Sequence, residues 1–372
     1  MRRHVTISVA TALVPVVVMA ALSVTPGSRA QAAADSAGAC PRGSVRAVVA
    51  GKRVCLRPGQ RCTARYESTY RRYGFSCRAG KLVRRKQPKP PLPPGASVAV
   101  TIDLGEKMNV VWLAASDSSV WVHGSSEVIR VDPSTNAIVA RVATPPIGFG
   151  YLAAGDGAVW QTDFGENSLL RIDPSSNRVV ATIPLGEDAA PEGVGVTPGA
   201  VWVALHHRGE VARIDPATNE VVARIRVGPS GNRGPLKLAA GPAGVWVDVP
   251  NTSSVVNIDP QTNAVVGKVD FSGIPVIDGT DVWIVALNRA ARIDPATHRV
   301  LASASLQGLA ADGAAGLGSV WVTTSTGLVR IDQASSKVVG RLVIGKGDVA
   351  VSAGSVWVAQ YGSGRLLRLA PR

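Results

Sequence analysis

The chain has 372 residues, 46% of them hydrophobic and 18% charged, and this apolar fraction excludes an intrinsically disordered protein. Its 39 Gly and 25 Pro indicate many turns and argue against long helices. The net charge of +14 is concentrated near the N-terminus: residues 34–95 hold 15 Lys/Arg and two acids, whereas residues 96–372 hold 22 basic and 24 acidic residues. The basic character therefore belongs to a short region and not to the bulk of the chain.

Residues 1–33 have the three parts of a secretory signal peptide. A basic start precedes an apolar run over 5–24, and a small-residue Ala-Gln-Ala sequence follows at 30–32. About 20 apolar residues could also span a bilayer, so an uncleaved membrane anchor is the alternative. Pro15 and the cleavage sequence favour removal of the segment. We therefore predict that the protein is secreted or lies at the cell surface.

A small basic module follows over residues 34–83. It contains all four cysteines of the chain, Cys40, Cys55, Cys62 and Cys77. An even count in an exported chain predicts two disulfides, whereas a zinc site would favour C-x2-C knuckles, which are absent here. Three pairings are possible. A predicted hairpin, with strands at 44–50 and 52–56, favours pairing the first cysteine with the second, and a short helix is predicted over 61–73.

Residues 84–95 are rich in Pro and basic residues, which predicts a semi-rigid extended spacer. Such a spacer after a strongly basic module suggests a tether that holds the next domain clear of a cell wall whose polymers carry phosphates. We therefore expect residues 34–95 to bind an anionic cell-wall polymer. Nucleic acid is not expected, since no repeated aromatic–basic pattern is present. A solvated basic surface with no partner is the alternative.

From residue 96 onward the sequence is a repeat. A tryptophan within a hydrophobic run recurs seven times at intervals of 36 to 44 residues, at Trp121, Trp160, Trp202, Trp246, Trp283, Trp321 and Trp357. Each unit holds four short alternating runs separated by turns, with no segment long enough for a helix. A period near 40 with four strands predicts an all-β fold, a seven-bladed β-propeller over 96–372.

The two ends of this region predict how the ring closes. The last unit stops at Arg372, before its fourth strand, and the segment 97–105 matches the missing strand. An N-terminal strand that completes the final blade removes the exposed sheet edges. We therefore predict a closed ring and a monomer.

Two recurrent features are interpreted as structural. The Asp-Pro-x-Ser/Thr-Asn motif is predicted to be a turn and not a calcium loop, because Asp bonds to downstream amides, Pro fixes φ and Asn tolerates the left-handed conformation. His298 occupies the Asn position of its turn, so the same role is expected there. One Trp per blade at the same strand position is the pattern of inter-blade packing and not of a ligand cage.

Candidate site residues lie in the loops that join one blade to the next and in those between second and third strands, which share one face around the channel. The candidates are Trp112, Tyr151, Glu192, His206, His207, Arg208, Lys237, Asp312 and Asp348. For Trp112 core packing of the first blade is favoured over a ligand contact, and for His206 and His207 a role as solvated loop residues is favoured over metal binding or proton transfer. No nucleophile elbow, zinc-protease motif or phosphate loop is present, so we assign no catalytic residue and no metal ligand.

The repeat best seen at Val201–Gly228 resembles the YVTN-type surface propellers and is similar to the streptogramin B (virginiamycin B) lyase-like family, which is seven-bladed. The lyase resemblance implies magnesium-dependent linearisation of a cyclic depsipeptide through a Glu/His set on the channel face. In that family the strand often continues from Trp as W-x-T-E. The stretches here that begin at Trp160, Trp202 and Trp246 continue as Gln-Thr-Asp, Val-Ala-Leu and Val-Asp-Val.

Because no blade has Glu at that position, the sequence predicts a secreted, cell-surface-associated propeller that binds a ligand or protein on its channel face, without enzymatic activity and without a cofactor. The alternative is a magnesium-dependent lyase of the streptogramin B type. A scaffold that assembles partners on the propeller rim is a third hypothesis.

Overall fold

The computed structural model describes residues 40–41, 44–73, 75–84, 96–105, 112–124, 126–146 and 149–371. The chain divides into two compact units, residues 1–87 and 88–372. The predicted signal peptide, and residues 85–95 of the predicted spacer, lie outside the described residues. The secretory role of the first segment and the extended conformation of the spacer therefore stay predictions.

The first unit is a small disulfide-bonded module. It consists of an antiparallel hairpin, a short 3-10 helix, an α-helix and a second hairpin, with bounds Val45–Val49, Lys52–Leu56, Ala64–Tyr66, Glu67–Arg72, Phe75–Arg78 and Lys81–Arg84. The first hairpin turns at Ala50 and Gly51, both with positive φ, as the Gly in the sequence indicated. Its strands pair Val45 with Leu56 and Val49 with Lys52.

The favoured cysteine pairing is confirmed. Cys40 bonds to Cys55, and Cys62 bonds to Cys77. Among the described residues of the module, the fully buried apolar ones are Ala47, Leu56, Tyr70, Phe75 and Leu82. A core of that size is marginal by itself, so the disulfides are needed to restrict the unfolded chain. Two disulfides are typical of an extracellular or otherwise oxidising environment.

The helix of the module is shorter than the predicted 61–73. It begins with the 3-10 turn Ala64–Tyr66 because the preceding residues are held in an extended bridge: Arg61 pairs with Lys81, and the Cys62 amide donates to the Gly80 carbonyl at 2.8 Å. Within the described residues no helix combines the length and the apolar character that a membrane crossing requires.

The second unit is the predicted seven-bladed β-propeller, and each blade is a four-stranded antiparallel sheet. Blades 1 to 3 contain Leu113–Ser116, Ser119–His123, Glu127–Val131 and Ile138–Ala143; Leu152–Gly155, Ala158–Asp163, Ser168–Asp173 and Arg178–Pro184; Pro191–Thr197, Ala200–Leu205, Glu210–Asp215 and Glu220–Arg226. Blades 4 and 5 contain Leu238–Gly241, Gly244–Val249, Ser254–Asp259 and Ala264–Val269; Ile274–Asp278, Asp281–Ala286, Arg289–Ile293 and Val300–Ser305. Blades 6 and 7 contain Ala310–Gly316, Ser319–Thr324, Gly327–Asp332 and Lys337–Leu342; Gly347–Ser352, Ser355–Gln360, Arg365–Pro371 and Ala96–Asp103. A 3-10 turn, Pro250–Thr252, links two strands of blade 4.

Ring closure by the N-terminal strand is confirmed. Strand Ala96–Asp103 pairs antiparallel with Arg365–Pro371 as the outermost strand of blade 7. Ile102 and the adjacent Leu104 are buried in the core shared by blades 7 and 1. The first and last parts of the propeller sequence are thus joined in one sheet.

All seven recurrent Trp side chains are buried, with at most 1% of their surface exposed, as the packing interpretation predicted. In blades 1, 2, 3, 6 and 7 an Arg directly opposite the Trp on the third strand stacks on its ring at 5.0–5.3 Å. This pairing follows from the antiparallel register, which puts Trp160 opposite Arg171 and Trp202 opposite Arg213.

The stacked Arg also reaches the Asp-Pro turn of the next blade. Arg171 donates from one terminal nitrogen to the Pro216 carbonyl at 2.7 Å and to Asn219 Oδ1 at 2.9 Å. Asn219 has φ +61°, so the motif is a turn as predicted, and its side chain is in addition the acceptor of an inter-blade bond. We call this Trp, Arg and turn unit the latch; Arg368 of blade 7 makes the same bonds to blade 1.

Between blades 4 and 5 the latch has different residues. Asn257 replaces the Arg opposite Trp246, and His298 replaces the Asn of the next turn with φ +59°. The His298 ring stacks on Trp246 at 5.4 Å, and its Nε2 lies 3.3 Å from Asn257 Nδ2. A Cβ on Gly267 would come within 2.2 Å of that ring. His298 therefore has the predicted turn conformation and, beyond it, the packing role that Arg has elsewhere.

Candidate functional site

The starts of the inner strands converge around the channel at the face opposite the Asp-Pro turns. Side chains from four blades meet there: Tyr151 from blade 2, Lys237 from blade 4, Asp312 from blade 6 and Asp348 from blade 7. They line a cavity of about 290 Å³. We call this region the channel mouth; the sequence predicted all four residues, and the structure brings them together.

Lys237 crosses the channel to the two aspartates. Its Nζ lies 2.5 Å from Asp312 Oδ1 and 3.7 Å from Asp348 Oδ1, and it also lies 5.6 Å from the centre of the Tyr151 ring. Burial opposes the charge of Lys237, but Asp312 and Asp348 outweigh it and hold the pKa of Lys237 well above its usual value. The ammonium is therefore charged and occupies the position between the carboxylates.

The aspartates also connect neighbouring blades. Asp348 Oδ2 accepts from the Leu113 amide at 3.1 Å, and Asp312 Oδ2 accepts from the Val349 amide at 3.0 Å. Both side chains are at most 9% exposed. Burial first, and then the charge of Asp312, raise the pKa of Asp348 to about 8. Each aspartate thus has a structural bond as well as an oxygen directed at Lys237.

Two more carboxyl groups lie around Lys237 and interact with its charge. Burial raises the pKa of Glu192 to about 7 and that of Asp248 to about 6, while the charge of Lys237 lowers both. Asp248 Oδ1 accepts from the Ser272 hydroxyl at 2.6 Å and from the Gly273 amide at 3.0 Å. The channel mouth therefore combines one ammonium group with four carboxyl groups.

Sequence reasoning missed Asp248 and Tyr361, whose hydroxyl donates to Asp348 Oδ1 at 3.3 Å. The signal for Asp248 was its position two residues after the recurrent Trp. Thr162 and Thr323 occupy the same position, and each donates from its hydroxyl to a carbonyl at the start of the next inner strand. Tyr361 follows the second strand of the last blade and had no repeated signal.

Trp112 belongs to an aromatic cluster beside the mouth. Its ring contacts Tyr151, His123 and Phe149 with centroid distances of 5.0, 5.4 and 5.5 Å. Trp112 is 4% exposed, so it supports the Tyr151 ring from behind. His123 is also buried, and burial lowers its pKa to about 4. Among the described residues neither ring nitrogen of His123 has a hydrogen-bond partner.

His206, His207 and Arg208 lie in a second cluster, in the loop of blade 3. His207 Nδ1 lies 2.6 Å from Asp188 Oδ1, and Arg208 donates from Nε and a terminal nitrogen to the Glu187 carbonyl. His206 Nε2 accepts from the Arg233 amide, and burial lowers its pKa. These contacts hold three loops of the same face together. Glu192 connects the two clusters electrostatically, because the charges of Lys237 and His207 both lower its pKa against the effect of burial.

No family model matches the chain, and no curated protein is significantly similar to it in sequence. Solved structures do match. A streptogramin B lyase is similar with a TM-score of 0.62 and 15% identity, over 73% of this chain and 98% of that one. A virginiamycin B lyase from Staphylococcus aureus matches with the same score and identity, over 74% and 100% of the two chains. The lyase-like resemblance is confirmed for the fold.

The same fold also occurs in the Neurospora crassa Pan2 WD40 domain, which matches with a TM-score of 0.59 and 12% identity over 75% of this chain and 96% of that one. Propellers with unrelated roles thus share this architecture. At these identities the similarity concerns the fold alone, and the function has to be argued from the site.

Proposed function

We propose that the protein is a secreted, cell-surface-associated binding propeller, without enzymatic activity, which holds a ligand at its channel mouth and is tethered by its basic module. The observation that carries this proposal is the convergence of Tyr151, Lys237, Asp312 and Asp348 on a cavity of about 290 Å³. Apart from Asp, which occurs in blades 6 and 7, none of these residue types recurs at this position, unlike the Trp and Arg side chains that build the ring. A ligand site needs a few polar side chains that converge on a cavity, and the repeated packing of the blades does not account for these residues.

The charges of the site favour a ligand with cationic and hydroxyl donors. Four carboxyl groups face one ammonium group, and three of the carboxyls have pKa values raised by burial to about 6, 7 and 8. A bound ammonium group would lower these pKa values and keep the carboxylates ionised. The cavity is of a size for one or two sugar rings. An amino sugar combines both kinds of donor.

A glucosamine trimer and its N-acetylated form test this proposal, because they differ in charge but share their hydroxyl pattern. Calorimetric titration should show that the cationic trimer binds and that the acetylated trimer binds at least about 10-fold more weakly, an energy difference of about 1.4 kcal/mol. Affinity is measured at pH 6 and at pH 8, and it should be lower at pH 8, because the amino groups of the sugar lose their protons in this range and with them the charge that the carboxylates bind.

Glu192→Gln should weaken binding of the cationic trimer, since it removes one carboxylate beside Lys237. Glu220→Gln is the matched control, because Glu220 is exposed at the start of an outer strand on the opposite face. Equal affinity for both trimers, or no binding at either pH, would contradict the proposed ligand class.

The residues of the mouth do not fit a magnesium ion. Each aspartate already gives one oxygen to a backbone amide and directs the other at Lys237, so the pair lacks the free oxygen ligands that an octahedral magnesium ion requires. Among the described residues no three His, Cys, Asp or Glu side chains are grouped so that they could hold a metal. We therefore propose that the purified protein does not linearise streptogramin B antibiotics with magnesium. Turnover that is abolished by His206→Ala, His207→Ala or Glu192→Gln would establish the lyase instead.

The module is proposed to supply the tether through its charge. Residues 44–84 contain eleven Lys/Arg and a single acid, Glu67. Attraction to a polyanion releases counter-ions, so binding of the exported protein to a poly(glycerol phosphate) chain should weaken steeply with salt. Titration with NaCl from about 0.05 to 1 M measures this, since the Debye length falls to roughly 3 Å at the upper end. Binding that is independent of salt would overturn an electrostatic tether.

A further inference from the structure

The cysteine module contains a defined cleft of about 530 Å³, separate from the propeller. Its lining includes Arg61, Thr63, Tyr66 and Lys81. The backbone around it is held firmly, because Cys62 is disulfide-bonded to Cys77 and its amide donates to the Gly80 carbonyl at 2.8 Å. The cleft is therefore a fixed feature of the module and not a gap between loose loops.

Two cations lie side by side at the cleft. Arg61 and Lys81 are directly opposite partners in an antiparallel bridge, so their side chains project from the same face with Cβ atoms roughly 5 Å apart. Like charges in directly opposite positions destabilise a sheet. Among the described residues neither side chain forms an ion pair. An anion placed between them would remove the repulsion.

Among the described residues of the module there is no unbonded carboxylate for this position. Glu67, the single acid of residues 44–84, is already bonded: Oε1 accepts from Arg71 Nε at 2.9 Å, and Oε2 accepts from the Cys77 amide at 2.7 Å. Its pKa is lowered by these bonds, so it stays ionised where it is. Residues 44–84 therefore supply no counter-ion for Arg61 and Lys81.

The other walls of the cleft suit a polyol or sugar. Tyr66 is half-buried against the module core, beside the buried Tyr70, and gives the cleft a flat aromatic wall. Thr63 is exposed, and its hydroxyl does not cap the helix that follows. An aromatic face and a free hydroxyl next to two cations are groups that contact a sugar or polyol joined to a phosphate.

We propose that this cleft binds one repeating unit of a polyanion in which phosphate groups are joined through sugars or polyols, with Arg61 and Lys81 on the phosphate and Tyr66 on the polyol. This proposal rests on the tethering proposed above and adds a defined site to it. The bulk charge of the module attracts the polymer over a distance, and the cleft sets where one unit is held.

The test compares two variants of the exported full chain that each remove two positive charges. Arg61→Gln with Lys81→Gln changes the cleft, and Lys52→Gln with Arg53→Gln changes two exposed residues of the first hairpin that do not line the cleft. Binding to immobilised poly(glycerol phosphate) is measured at fixed salt, and melting curves check that both variants fold. We expect the cleft variant to bind at least about 10-fold more weakly than the hairpin variant, because counter-ion release alone would weaken both equally.

Equal losses in the two variants would overturn the cleft but leave the electrostatic tether standing. No binding of the unaltered protein would overturn both. Binding of the same proteins is also measured to three other probes: neutral dextran, a single-stranded oligonucleotide and phosphatidylglycerol vesicles. A cleft-dependent preference for an oligonucleotide or for vesicles over poly(glycerol phosphate) would overturn the proposed occupant, whereas cleft-dependent binding of poly(glycerol phosphate) above all three supports it.

Discussion

The two faces of the propeller differ in how far their residues recur from blade to blade. On the face with the Asp-Pro turns, the same residues recur: a Trp, an Arg stacked on it, and an Asn in the turn of the next blade. At the channel mouth the equivalent positions are occupied by Tyr151, Lys237, Asp312 and Asp348; only Asp occurs twice, and both aspartates also bond to an amide of the next blade. The recurrent Trp, Arg and Asn therefore join the blades, whereas the more variable positions at the mouth form the site.

The latch between blades 4 and 5 shows how far the repeated rule can vary. Here Asn257 stands in place of the Arg, and His298 in place of the Asn. Gly267 is paired with Asn257 on the outer strand, whereas blades 1, 2, 3 and 5 have Ala paired with the Arg at this position. The three substitutions are coupled by packing, since the His298 ring occupies the space that a Cβ at Gly267 would need. The inter-blade contact is thus kept while its chemistry changes.

The largest expected effect comes from opening the ring. Deletion of residues 97–104 removes the closing strand and the buried Ile102 and Leu104, which by themselves contribute about 3–6 kcal/mol. It also exposes the edge of blade 7. We expect thermal unfolding at a much lower temperature or loss of the folded protein. Deletion of the eight residues 87–94 in the spacer is the control of equal length, and an equal melting temperature for the two deletions would refute closure.

Removing a latch Arg should have the next largest effect. Arg171→Ala loses two hydrogen bonds from a charged donor and the stacking on Trp160, which we expect to lower the free energy of unfolding by about 2–3 kcal/mol. Arg178→Ala, at an exposed position of the same blade, should change it by no more than about 0.5 kcal/mol. Denaturant titration measures both. Similar losses would mean that the latch does not hold the blades.

Gly267→Ala tests the variant latch and should cost about 1–3 kcal/mol, because the new methyl group collides with the His298 ring. The triple variant Asn257→Arg, Gly267→Ala, His298→Asn installs the residues of blade 3 and should recover most of that loss. If Gly267→Ala is neutral, or if the triple variant is less stable than Gly267→Ala alone, the coupling of these positions is wrong.

The channel mouth should have the smallest effect on stability, and one that depends on pH. The pKa of Asp348 is raised to about 8 in the folded protein, so the folded state binds the proton more tightly than the unfolded state. This contribution to stability is fully present below the unfolded pKa and is lost as the pH rises through about 8. Melting temperatures should therefore fall between pH 6.5 and 8.5.

In Asp348→Asn the fall should be smaller, although Glu192, with a pKa of about 7, still titrates in the same range. The range from pH 6.5 to 8.5 excludes the titration of His123, because its pKa is lowered to about 4 and it affects stability only below pH 6.5. An identical pH dependence in both proteins would show that Asp348 keeps an ordinary pKa, and that the mouth is less buried than the structure has it.

Most of the fold followed from the sequence because its signals are local and repeated. The Trp period predicted seven blades, the run at 97–105 predicted the closing strand, and the hairpin around Gly51 predicted the first disulfide. These features depend on strand alternation, turn chemistry and short sequence separations. The helix of the module was predicted too long, because the bridge between Arg61 and Lys81 is a contact across 20 residues that no local pattern shows.

The candidate site was only partly accessible from the sequence. The sequence placed Lys237, Asp312 and Asp348 on one face around the channel, but only the closed ring turns them toward one another, although they are 75 and 36 residues apart in sequence. Their charge states are set by burial and by one another, which no single blade determines. The sequence by itself determined the blades and their order; the tertiary structure decided which non-recurrent side chains meet, because the ring alone sets the distances between different blades.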